Sequence, residues 1–364
     1  MRTKDCSFNR VVLAVLALIV WGCSGSGSQT DKAIQKSAEE VGVLISKELL
    51  LRPDFMRYNT GDVYAIHYAE VCAAYGAIKL AFQLENKELA NTLIEHYKKA
   101  TPEYISNSKN HVDANVYGVL PLEIYKHTGD ENYLSEGICF ADEQWLDTLS
   151  NGLSSQTRFW IDDIYMIGCL QAQAYRATGK TIYLERAAFT LNAYINELQQ
   201  ANGLFYHGNN APFYWGRGNG WVAAGFAEVL SELSSKNPYY HSILEAYKKM
   251  MHTLLQNQAE DGMWHQVINR PESFKETSCT AMFAFAMALG VKHKLLPQKA
   301  YKNACVKAWN GLQNYLNPDG KVREVCVGTG QSTEIDYYFN RPRVTGDLHG
   351  QAPLLWLASE LLDE

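Results

Sequence analysis

The 364-residue chain contains no Cys-x-x-Cys pair, no His-Glu-x-x-His and no other zinc-ligand spacing. No metal is therefore expected to take part. It lacks a block of like charge: 33 Lys plus Arg face 39 Asp plus Glu, a net −6. Without a basic stripe there is no electrostatic footprint for a nucleic acid, and none is expected as a partner. Gly216-Arg-Gly-Asn-Gly220 is not a Gly-x-Gly-x-x-Gly fingerprint and follows no clear strand, so a dinucleotide is excluded and no cofactor is expected. No long stretch alternates apolar and polar residues as half-buried strands do. The apolar run at 11–21 is too short to span a bilayer.

That run instead reads as the core of an export signal. Arg2, Lys4 and Arg10 precede it, and Gly22-Cys23 and a Ser/Gly linker follow. Val20-Trp21-Gly22-Cys23 resembles a bacterial lipobox, with Trp21 unusual in it. The expected organisation is a signal peptide over 1–22, a lipidated Cys23 with a flexible linker over 23–33, and one catalytic domain over 34–364. The protein would then be exported as a periplasmic or outer-membrane lipoprotein, touching the membrane only through its lipid anchor. Export permits disulfides, but the six remaining cysteines sit mostly in apolar helical patterns and read as buried free thiols.

What the sequence has in abundance is helix and aromatic surface, with 22 Tyr and 8 Trp. Two alternating sets of helices are predicted. One set, at 63–84, 115–126, 162–177, 217–234, 277–293 and 348–362, is apolar or Ala/Gly-rich nearly all round and must be enclosed. The other, at 31–50, 86–99, 130–146, 181–200, 238–259 and 297–315, carries Lys, Glu and Gln on one face. Six enclosed and six half-exposed helices make an all-α (α/α)6 barrel, with short hairpins expected in the loops at 203–214 and 321–338. An α-solenoid would repeat more regularly.

The loops entering the enclosed helices collect at one end of such a barrel. They carry Asp62, Asp113, Asp162, the stretch His207 to Trp215, Glu276 and Asp347. Asp162 and Asp163 begin a helix, where a carboxylate is an ordinary cap. The flanking Trp160 and Tyr165 would also desolvate a carboxyl and raise its pKa, as a general acid needs. Asp113, one helix pair earlier, is a cap by the same token, or a second carboxyl sharing a proton with the first. In Trp215-Gly-Arg-Gly-Asn-Gly-Trp221 an arginine stands between glycines and tryptophans. This is a Gly-rich turn with core tryptophans, or an acid-binding fork beside faces that stack on sugar. Asp347 and His349 lead into the last enclosed helix. Arg341 and Arg343 are surface residues or positive charge at the cleft rim.

Trp160-Ile-Asp-Asp-Ile-Tyr-Met166, Trp215-Gly-Arg-Gly-Asn-Gly-Trp221 and Asp347-Leu-His-Gly350 together resemble glycoside hydrolase family 105, the unsaturated rhamnogalacturonyl hydrolases. The unsaturated glucuronyl hydrolases of family 88 are more distantly similar. The likeness spans about 35–362 and implies an (α/α)6 barrel. It also implies removal of a terminal 4,5-unsaturated uronic acid from lyase-made oligosaccharides by hydration of the C4=C5 enol ether. It assigns proton transfer to Asp162 with help from Asp113, and substrate contacts to His207, Trp215, Arg217 and Trp221; Trp160 and His349 join these as expected contacts. The family's Trp-rich first inner helix is replaced here by Asp62-Val-Tyr-Ala-Ile-His-Tyr-Ala-Glu70. Two other readings fit the residues: a sugar epimerase of the N-acylglucosamine 2-epimerase type using His207 and His349, and a non-catalytic sugar-binding lipoprotein.

Overall fold

The computed structural model describes residues 35–59, 63–100 and 111–362. The signal segment, Cys23, the linker and Asp62 lie outside these described residues. Residues 35–364 form one compact unit.

Six enclosed helical segments run around its axis. They are α2 (Tyr68–Gln83), α4 with α5 (Val112–Asn115, Val119–Thr128), α7 (Asp163–Thr178), α9 (Gly216–Leu230), α11 (Thr277–Lys292) and α14 (Leu348–Leu361). Neighbour packs on neighbour from α2 through α5, α7, α9 and α11 to α14, and α14 returns to α2. An outer layer packs against this ring: α1 (Ala38–Leu50) on α14, α3 (Lys87–Tyr97) on α2, α6 (Glu131–Glu143) on α5, α8 (Ile182–Leu198) on α7, α10 (Tyr240–Gln256) on α9 and α12 (Gln298–Gln313) on α11. This is the expected (α/α)6 barrel. The two layers differ as their sequences do. Every residue of α9 is buried, whereas α12 buries only one stripe, Tyr301, Ala304, Cys305, Ala308, Gly311 and Leu312.

Local signals set the helix ends. Ser37 and Glu40 form a reciprocal capping box at α1. Asn86, Asp130, Glu276 and Asp347 cap α3, α6, α11 and α14 through their side chains. Gly129 and Gly179 end α5 and α7 with φ of 69° and 71°, a left-handed turn that costs glycine little.

Short strands were the least legible part. Residues Tyr64–Ile66 are not the first turn of α2 but a strand, β2, paired antiparallel with β1 (Arg57–Asn59). A further hairpin joins β3 (Trp264–His265) to β4 (Lys275–Glu276). The segment 203–214 holds only isolated bridges, and 321–338 supplies only β5 (Val325–Cys326), whose partner is β6 (Arg343–Val344). Strands of two or three residues are too short to show a period. Five of the six cysteines among the described residues are buried; Cys139 is exposed on the outer face of α6, near Glu143.

Large aromatics fill the bore. Tyr165 stacks on Trp356 at 5.0 Å, and Trp221 lies 4.9 Å from Tyr165 and 5.9 Å from both Trp356 and Tyr68. Trp356 fits because Gly76 faces it: a Cβ there would stand 2.8 Å from its Cδ1. Gly218 does the same for the ends of α7 and α9, where a Cβ would meet Ile161 at 2.6 Å and Trp215 at 2.7 Å. Those two helix starts therefore converge, and they carry the residues of interest.

Candidate active site

Asp162 occupies the cap position of α7 but makes no capping bond with its side chain. Its side chain is 12% exposed, and Oδ2 is sealed from solvent with no hydrogen-bond partner among the described residues. Burial without pairing favours the neutral acid. Desolvation, reinforced by the Asp113 carboxylate, pushes its pKa up to about 7; Arg158 and Arg217 pull the other way and Asp163 adds to the rise. A carboxyl poised near neutrality can both give and take a proton.

Its flanks are held by Arg158. The Nη1 and Nη2 groups donate to the two oxygens of Asp113 at 2.9 and 3.1 Å. The Nε and the backbone N–H donate to Asp163 at 3.0 Å each. Tyr194 donates to Asp163 Oδ2 at 2.6 Å and accepts the backbone N–H of Phe159 at 3.2 Å. Phe159 has a φ of 55°, strained for a residue with a side chain. A tied turn thus delivers Trp160 and Asp162 to the cleft. Asp163 is fully buried in this network.

His207 faces Asp162 from the loop between α8 and α9, with Nε2 3.8 Å from Asp162 Oδ2. Its Nδ1 meets the Tyr338 hydroxyl at 2.8 Å, and that hydroxyl also accepts the Ser332 N–H at 3.3 Å. Donor and acceptor in that bond depend on the ring's tautomer; when Tyr338 donates to Nδ1, the ring proton is on Nε2, the nitrogen that faces Asp162. Burial and the Arg217 charge hold the imidazole neutral, with its pKa down at about 3. Arg217 lies beneath, its guanidinium 5.0 Å from the Trp215 ring and donating to the backbone carbonyls of Cys326 and, at 2.7 Å, Val327. It thereby anchors a strap, 327–334, that Gln331 ties to the carbonyl of His207. On the far side Tyr68 meets His349 Nε2 at 2.9 Å, and His349 Nδ1 meets Asp347 at 2.6 Å.

A surface groove of about 550 Å³, lined by Leu184, Phe189 and Tyr239, holds none of these groups, so chemistry places the site at the α7 end. Among the described residues no group of three or more His, Cys, Asp or Glu side chains is arranged to hold a metal ion.

Residues 50–363 match the family model described as Glycosyl Hydrolase Family 88. The chain belongs to that family. Similar proteins include one of Alteromonas sp. named unsaturated 3S-rhamnoglycuronyl hydrolase, 30% identical over 217 residues; the match covers 56% of this chain and about half (51%) of that protein. Another, from Bacillus subtilis, is named unsaturated rhamnogalacturonyl hydrolase; it is 26% identical across 71% of this chain and 83% of its own length. Among solved structures, a possible member of family 105 from Klebsiella pneumoniae superposes with a TM-score of 0.80 at 20% identity, over 96% of this chain and all of that one. An unsaturated glucuronyl hydrolase from Bacillus sp. GL1 gives 0.63 at 17%, over 88% and 95%. These likenesses show the fold.

Within this family 88 barrel, the structure brings Asp113, Asp162, Trp160, His207, Trp215 and Arg217 together at one end. Four expectations need correction. Arg217 is no open fork for a carboxylate, because the side chain is fully buried and each Nη already donates to a backbone carbonyl, leaving a buried Nε–H without a partner among the described residues. Trp215 and Trp221, 1% and 0% exposed, are core rather than stacking faces; half-buried Trp160 is the aromatic surface that remains. Asp113 is neither a cap, since the His111 ring accepts its N–H, nor a proton-sharing partner of Asp162, since Arg158 holds both its oxygens. His349 is fully buried and reaches the cleft only through Tyr68. Arg343 is a surface residue paired with Glu324, and Arg341 grips the strap at Gly328 and Thr329.

Sequence reasoning missed Arg158, Tyr58 and Tyr338. Arg158 stands two residues before the quoted Trp160 motif, but nothing in its spacing marked two carboxylate partners. Tyr58 lies on β1, half-buried, where desolvation and then the Asp113 charge raise its pKa and it also feels Arg158 and Asp162. Tyr338 is in the short helix α13 (Ile335–Phe339), too brief to carry a helical pattern.

Proposed function

We propose that the chain is a glycoside hydrolase that removes a terminal 4,5-unsaturated uronic acid from lyase-made oligosaccharides by hydrating the C4=C5 bond. The observation that carries this reading is Asp162: a buried carboxyl of near-neutral pKa whose Oδ2 has no hydrogen-bond partner among the described residues, facing a neutral imidazole. In its acid form Asp162 gives its proton to C4. The carboxylate left behind takes a proton from the water that adds at C5. The product is a hemiketal at C5, which opens and frees the aglycone. His207 Nε2–H steadies the carboxylate between the two half-steps.

The epimerase reading loses support because both nitrogens of His349 are engaged, by Asp347 and Tyr68, leaving no second exchangeable base. A capture-only role keeps only half-buried Trp160 of its expected stacking faces, since Trp215 and Trp221 are buried. The names of the two relatives place rhamnose beside the unsaturated uronate, and we extend that class of substrate to this chain. Incubation with a panel of unsaturated disaccharides should abolish the absorbance of the conjugated double bond, fastest where the neighbouring sugar is rhamnose. Undiminished absorbance across the panel would reject the reading. We further propose that the protein is exported and anchored through Cys23. Membrane-associated wild type and released Cys23→Ala are the expected outcome; equal retention of the two would reject the anchor.

A further inference from the structure

We propose that Arg158 is the positioning residue of this site: by clamping Asp113 and Asp163 on either side of Asp162 it fixes the acid's place and sets the pH range in which it works. The inference rests on the reading of Asp162 as proton donor, and it goes beyond it in assigning the acid's tuning to a residue that does no proton transfer.

The geometry has three parts. First, one guanidinium spans two helices of the ring, taking both oxygens of Asp113 on α4 and Asp163 on α7. A forked arginine in this arrangement is worth more than a point charge, because the two parallel bonds fix direction as well as distance. Second, the same residue's backbone N–H is bonded to Asp163, so the main chain of the turn is locked along with the side chain. Two residues on, Trp160 packs 5.3 Å from the guanidinium. The strained Phe159 between them is held by Tyr194, which also bonds Asp163. The turn that aims Asp162 is therefore closed on itself through Arg158. Third, the charges around Asp162 nearly balance only with Arg158 present. Asp113 comes from α4, Asp163 from α7, Arg217 from α9, neutral His207 from the loop before it, and the hydroxyls of Tyr58, Tyr68 and Tyr338 from β1, α2 and α13. Without Arg158 two carboxylates would stand beside the acid with one cation, Arg217, to offset them.

The sign follows. Asp113 raises the Asp162 pKa and Arg158 lowers it. Loss of the arginine should move the acid's titration up, and loss of the Asp113 charge should move it down. A residue that merely held the fold together would lower the melting temperature and leave the titration in place.

The experiment measures kcat and KM against pH, alongside thermal unfolding, for wild type, Arg158→Gln, Arg158→Lys and Asp113→Asn on the best disaccharide of the panel. The expected result for Arg158→Gln is a kcat lower by about 10- to 100-fold, a KM within about threefold of wild type, and an alkaline limb moved up by about one pH unit. Asp113→Asn should move the limb the other way. Arg158→Lys keeps the charge but cannot fork; its limb should stay near wild type while kcat falls at least about fivefold. A limb that stays put in Arg158→Gln overturns the proposal, as does a rise in KM at constant kcat, which would make Arg158 a substrate contact. Should Arg158→Gln fail to fold, Arg158→Lys decides: wild-type kcat overturns the proposal. The Asp162 carboxyl can also be titrated by carbon NMR without substrate. If the wild type proves inactive on every unsaturated uronide, the catalytic reading fails. An upward shift of that titration in the folded arginine variant would still uphold the clamp, and an unmoved one would overturn it.

Discussion

Asp162→Asn is expected to lose at least about 10⁴-fold in turnover while still binding substrate. General acid–base groups typically contribute about 10²–10⁴-fold. On the proposed mechanism one carboxyl serves both half-steps, and His207, which faces it, cannot take its place as the acid because burial keeps the imidazole neutral. The amide preserves shape but cannot exchange the proton. Single-turnover loss of absorbance, together with binding by calorimetry, checks this. Residual turnover within about tenfold of wild type would move the acid elsewhere. The same variant should be more stable than wild type in alkali. The pKa of Asp162 is raised from 3.8 to about 7 in the native state, so its contribution to stability is whole below pH 3.8, declines as pH rises from there, and is lost by about pH 7. Removing the group removes that loss, by up to about 4 kcal/mol above pH 7 and by almost nothing near pH 4. Urea unfolding at pH 4 and pH 8 measures the difference. An asparagine variant that is no more stable than wild type at pH 8 would mean that the acid is not buried as described.

Arg217→Ala should act first on the fold and through it on activity. The substitution strips two backbone carbonyls, those of Cys326 and Val327, of their donors and leaves space against Trp215. An unsatisfied buried acceptor costs about 1–3 kcal/mol, so a loss of roughly 3–5 kcal/mol is expected, with kcat falling as the strap loosens from His207. Differential scanning calorimetry and proteolysis at 327–334 test it. The opposite pattern, a KM about 10- to 100-fold higher with unchanged melting, is what a direct carboxylate fork would give. That pattern would restore the assignment the sequence suggested.

The barrel was legible because its two layers differ in composition over long segments. Ala, Gly and aromatics all round α9 and α11 demand enclosure, and no other packing of six such helices with six amphipathic ones closes so simply. The start of α7 was legible for the same reason: two adjacent carboxyls beside Trp160 lie at a helix end, where side chains can face a cleft. Partners were not legible. Asp163 looked like a cap, and the structure ties it instead to Arg158 in the turn before α7 and to Tyr194 of α8. Arg217 between glycines looked like an open fork. The glycines serve close packing instead, as Gly218 against Ile161 shows, and the carbonyls that take the arginine's protons lie more than a hundred residues away. A hydrogen bond to a distant main-chain carbonyl leaves no trace in side-chain identity.

The ring described above is joined end to end by α2 and α14, the first and last of its enclosed helices. Trp356 donates to the carbonyl of Cys72, Lys79 pairs with Glu360, and Gln351 reaches Glu48, contacts that link residues 284, 281 and 303 apart. Closing so long a loop is slow compared with forming the local helix pairs. During synthesis the chain must therefore exist as an open arc, its bore aromatics uncovered on one side, until its final turns are made. A chain cut before α14 would stay in that state, and the exposed seam between α2 and α11 would be where such fragments adhere to one another.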